Sequence, residues 1–108
     1  MQTLVQVICS KGKSLRDSIV NDAQLADFGL LIQKKQQSGR QHGWAKIHST
    51  YARRHGALNI EWDANTSILL CRVVNRRAGR PHLILGDFVE YLFHRFRRRI
   101  EAVNIIPR

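Results

Sequence analysis

Lys35, His42, Trp44 and Lys46 bring two cations, an imidazole and an indole into one short stretch of chain. Single-stranded nucleic acid is held by such a set. Cations follow the sugar–phosphate backbone, and flat rings take stacked bases at roughly 1–3 kcal/mol per base. Arg53 and Arg54 follow a few positions later, and Arg76, Arg77 and Arg80 surround Ala78-Gly79. A guanidinium fork matches phosphate oxygens, and a glycine lets the backbone approach them. The sequence thus assigns Lys35, Lys46, Arg53, Arg54, Arg76, Arg77 and Arg80 to phosphates, and Trp44 and His42 to bases. The plainer alternative for the cations is a solvated face, and for Trp44 a place in the core under the N-terminal helix.

Catalytic chemistry has less support. His42, His48 and His55 lack the spacing of zinc ligands and have no cysteine near them. No metal and no cofactor are expected. There is no Gly-rich phosphate loop and no nucleophile elbow. Glu61 and Asp63 share one side of a strand, as an acid pair would, but Asp63 before Ala64-Asn65-Thr66 reads as a turn former. Cys71 lies in the apolar run ILLCRVV, where burial suppresses the reactive thiolate. The expectation is a binding protein and not an enzyme, with an enzyme on anionic substrates as a third reading.

The charge distribution supports a polyanionic partner. The chain has 108 residues, a formal net charge of +10 and 44% hydrophobic residues, enough for one core. Residues 28–56 carry six basic and no acidic side chains, and residues 76–108 carry eight basic and three acidic ones. The first 27 residues balance, and the apolar stretch 57–75 is slightly acidic. Two positive blocks flanking a neutral centre draw polyanions at long range. No apolar run approaches the length of a membrane span, and the N-terminus has no basic n-region. Cys9 and Cys71 form no CxxC and sit in apolar runs. They read as buried reduced thiols, which suits a cytoplasmic location.

These residues need elements to position them. LVQVIC at the N-terminus fits a short strand or a helical turn. Ser14, with Asp17 three positions on, opens a helix expected over 15–26, with Gly29 just beyond it. Ser38-Gly39 as a two-residue turn makes residues 30–47 a hairpin. Leu30 then faces Ile47 and Ile32 faces Ala45 on the core side, while Gln33, Lys35, His42, Trp44 and Lys46 share the outer side. ALNIEW alternates as a half-buried strand, and SILLCRVV reads as a central strand covered on both faces. HLIL is read as a short fifth strand. Asp87 caps a helix over 86–104, whose apolar stripe contains Phe88, Leu92, Phe96 and Val103. Its second half, HRFRRR, is expected as a solvated basic face; a membrane-surface role conflicts with the need for its apolar face in the core. The fold class is α+β: one domain, 1–108, with an N-terminal helical segment (1–27), an antiparallel sheet of four to five strands (28–85) and a long C-terminal helix, the helices packed on one face.

The segment LNIEWDANTSILLCRVVNRRAGRPHLILGDFVEYLFHRF, about a third of the chain, resembles the four-strand-plus-helix unit of the PUR-repeat and positive-cofactor families. That resemblance implies single-stranded nucleic acid bound on the sheet face, and units that pair. The expected function is non-specific binding of single-stranded DNA or RNA, with no membrane partner. The alternative is an interaction module or small homodimer, with Trp62 or the last strand at its seam.

Overall fold

The computed structural model describes residues 3–40, 42–51, 56–74 and 81–107. Six apolar or β-branched residues, interrupted by Gln6, form strand β1 (Thr3–Cys9). Ser14 then caps α1 (Leu15–Val20), its hydroxyl accepting from the Asp17 amide at 3.2 Å. This helix is shorter than expected. Asp22 interrupts it by accepting from the Gln24 amide and starting a separate 3₁₀ turn, Ala23–Phe28. Gly29 ends that turn at φ 74°, in the left-handed region. A Cβ there would also overlap the Tyr51 ring.

Four strands follow: β2 (Leu30–Lys34), β3 (Trp44–Ser49), β4 (Ala57–Asp63) and β5 (Ile68–Val74). They are succeeded by helix α2 (Pro81–Phe96), a 3₁₀ turn at Arg97–Arg99, and a last strand, β6 (Ile100–Ile106). All strands join one six-stranded sheet in the order β2-β3-β4-β5-β1-β6. Every pairing is antiparallel. The α+β class and the antiparallel sheet agree with expectation; the strand count does not. HLIL is the first turn of α2, because Pro81 suits a helix start and Ile84 and Leu85 fall on its buried stripe. The helix stops at Phe96, and IEAVNII forms a strand beside β1.

Side-chain alternation divides the sheet into two faces. Val5, Val7, Leu30, Ala45, Ile47, Leu58, Ile60, Leu69, Cys71 and Val73 point to one face and are buried. There they form a single cluster with Leu15 and Ile19 of α1, Leu25 of the 3₁₀ turn, and Ile84, Phe88, Tyr91 and Leu92 of α2. Both helices therefore lie on the same side. Cys9 and Cys71 are buried free thiols, and burial raises the pKa of each. The opposite face has no element packed across it among the described residues. β5 shows this directly: it is central in the sheet, yet Leu70 is 41% exposed and Arg72 is exposed. The expectation that β5 is covered on both faces is corrected.

Candidate nucleic-acid interface

Register maps the open face row by row, since residues paired across antiparallel strands point to the same side. One row reads Ile106, Leu4, Arg72, Asn59, Lys46 and Lys34 across all six strands. The next reads Asn104, Gln6, Leu70, Glu61 and Trp44. The first row is cationic on β5, β3 and β2, and Lys34 lies directly opposite Lys46. Like charges so placed destabilise a sheet in the absence of a counter-charge. With strands about 4.8 Å apart, the cations span roughly 14 Å.

The hairpin carries two corrections. The observed pairs are Leu30 with Ser49 and Ile32 with Ile47, two residues from the expected register, although the predicted core side is right. Ser38-Gly39 does form a β-turn, with the Arg40 amide donating to the Gln37 carbonyl at 3.0 Å and Gly39 at φ 81°. That turn lies inside a longer connection between Lys34 and Trp44, so it does not set the strand register. A β-bulge between Ile32 and Lys34 then puts Lys34 opposite Lys46. Lys35 lies beyond the strand, its carbonyl accepting from the Arg16 guanidinium at 2.6 Å. His42 is exposed in the turn before β3.

Trp44 is the larger correction. It points away from the core, on the same side as Lys46, as the alternation predicts. Yet it is only 3% exposed, so its ring is not a free stacking platform. The Arg40 guanidinium lies over the ring, 5.6 Å from its centroid. Arg16 fixes the backbone beneath, its Nε and Nη2 donating to the Trp44 carbonyl at 3.1 and 2.9 Å. The indole N–H is buried with no acceptor, as is Oδ1 of Asn59 with no donor. Both side chains line a hollow of about 180 Å³ with Leu4, Gln6, Arg40, Glu61, Leu70, Arg72 and Ile106.

A second cationic group forms where β1 ends and β6 begins. The Ser10 amide donates to the Arg99 carbonyl at 2.9 Å. Arg99 in turn donates to the Ser18 hydroxyl at 2.8 Å and the Lys13 carbonyl at 2.6 Å. These bonds bring exposed Lys11 and Lys13 beside exposed Arg97 and Arg98. The RRR run was legible, but as a helix face; Lys11 and Lys13 carried no signal, because only the pairing of β1 with β6 makes them neighbours. This group is separated from the cationic row by about 17 Å along β1, at roughly 3.3 Å per residue.

Arg53, Arg54, Arg76, Arg77 and Arg80 lie outside the described residues. Among the described residues, no cluster of metal-ligating side chains occurs and no helix is long and apolar enough to cross a membrane. The segment that carries the resemblance, Leu58–Phe96, forms β4 from its second residue, β5 and α2, and HLIL within it is helical, so it does not contain four strands. Comparison of the chain with protein-family profiles, with curated proteins and with solved structures finds no match.

Proposed function

We propose that this protein binds single-stranded nucleic acid across the open face of its sheet. One observation carries the reading: Lys34, Lys46 and Arg72 form one cross-strand row, with two lysines directly opposed. Arg40 extends this charge over the neighbouring Trp44. A polyanion threaded along the row relieves the lysine repulsion and releases counterions. Half-exposed Leu4 and Ile106 in the row, and Leu70 beside it, offer apolar contact to unpaired bases. α2 commits its apolar stripe to the core, which argues against a helix inserted into a duplex groove.

Fluorescence anisotropy with labelled DNA and RNA strands at two salt concentrations tests the proposal. Four engaged cations give a slope of log K against log salt of about −3 on single strands. Lys46→Glu with Arg72→Glu abolishes binding, while Arg97→Glu with Arg98→Glu, at the distant cationic group, weakens it less. Absence of binding to any strand at low salt overturns the reading.

A second reading has its own observation. β6 is an edge strand, and Ile105 and Ile106 on it are 49% and 38% exposed. Such an edge is a template for pairing with another copy. A mass that doubles with concentration in sedimentation, with no response to oligonucleotides, favours this reading over the first.

A further inference from the structure

We infer that the hollow beside Trp44 is a pocket for a guanine base. The inference rests on the strand-binding reading above and adds a chemical preference to it. The walls supply the materials for one base: apolar side chains of Leu4, Leu70 and Ile106, and polar groups from β3, β4 and β5. A cavity of about 150 Å³ holds a benzene ring. This one, of about 180 Å³ and open on one side, admits a base edge with its exocyclic groups.

The polar groups select among bases. Glu61 and Asn59 are two residues apart on β4 and point to the same face. An ionised carboxylate only accepts hydrogen bonds, and the Asn59 oxygen is a buried acceptor with no donor. Guanine is the base that sets two donors side by side, its N1–H and its exocyclic amine. The carboxylate takes N1–H and one amine hydrogen, and Asn59, turning its buried oxygen into the hollow, takes the other. Guanine O6 and N7 are acceptors that suit guanidinium donors, and Arg72 and Arg40 line the same hollow. Uracil, cytosine and adenine each lack the paired donors, so each offers the Glu61 carboxylate one donor group where guanine offers two.

The test uses the full chain carrying Trp62→Phe, so that Trp44 alone reports by fluorescence. Its probes are guanosine monophosphate, adenosine monophosphate, and three strands of equal length: one with a single guanine, one all adenine, one fully abasic. The expected result is a Trp44 response to the guanine nucleotide and not the adenine one. The guanine strand should bind roughly tenfold more tightly than the abasic strand, the discrimination of one good bidentate pair. Glu61→Gln and Asn59→Ala should erase that ratio while still binding the abasic strand, which also shows that they fold. Equal affinity for all three strands overturns the guanine pocket and leaves strand binding standing. A response to the free nucleotide with no strand binding keeps the pocket as a mononucleotide site and overturns the open-face reading. No response to any probe overturns both.

Discussion

Asp22 shows how much one side chain can join. Its carboxylate accepts from the Gln24 amide at 3.1 Å, the Tyr91 hydroxyl at 2.8 Å and Arg95 Nε at 2.9 Å, tying the 3₁₀ turn to α2. Burial alone would raise its pKa, but the bonds from Arg95, Tyr91 and Gln24 outweigh burial and hold it below the ordinary value. Burial first, then the Asp22 carboxylate, push the Tyr91 hydroxyl upward, so it remains a donor. With a folded pKa below the unfolded one, the contribution of Asp22 is complete above about pH 4 and is lost as pH falls through the folded value. Asp22→Asn should cost about 2 kcal/mol at pH 7. That deficit should shrink towards pH 2 in urea titrations of the two proteins. Arg16 has a comparable role at the hairpin, holding the carbonyls of Trp44 and Lys35 with a side chain only 11% exposed. Arg16→Ala should lose about 2 kcal/mol by thermal melting and shift Trp44 emission to the red.

At the scale of elements, the bulge in β2 links structure to function. It places Lys34 against Lys46, a pairing that costs stability when no anion is present. Lys34→Glu should therefore stabilise the protein by about 0.5 kcal/mol in urea titration and weaken oligonucleotide binding in the same preparation. A parallel loss of both properties would count against a ligand role for the row. The bulge was hidden in the sequence because Gln33, Lys34 and Lys35 are all polar, and nothing in their hydropathy marks the extra residue. By contrast, the Ser14 cap and the alternation of Leu58 and Ile60 were legible, since each depends on neighbours within a few positions.

The whole molecule puts its charge to use through shape. Both helices cover one sheet face, and the other face presents a cationic row beside half-exposed apolar side chains. The slope of binding against salt therefore counts the cations engaged. Replacing Lys34 and Lys46 together with Met should flatten it by about 1.4, at roughly 0.7 per cation on single strands. An unchanged slope in anisotropy measurements would move the contact to another surface, with the group at Lys11, Lys13, Arg97 and Arg98 the next to test.

The sequence by itself determined the class of the fold, the core side of the hairpin strands and of β4, the first turn of α1 and the polarity of the charge, because periodicity and capping act over a few residues. Tertiary structure alone decided that β1 enters between β5 and β6, that Ile100–Ile106 extends as a strand, and that Lys11 and Lys13 meet Arg97–Arg99. It also decided that Trp44 is covered although it points away from the core. Alternation sets the direction in which a side chain leaves its strand. Whether it then meets water depends on groups brought over it from elsewhere, here Arg40 and the row on β4 and β5, and no local pattern encodes their arrival.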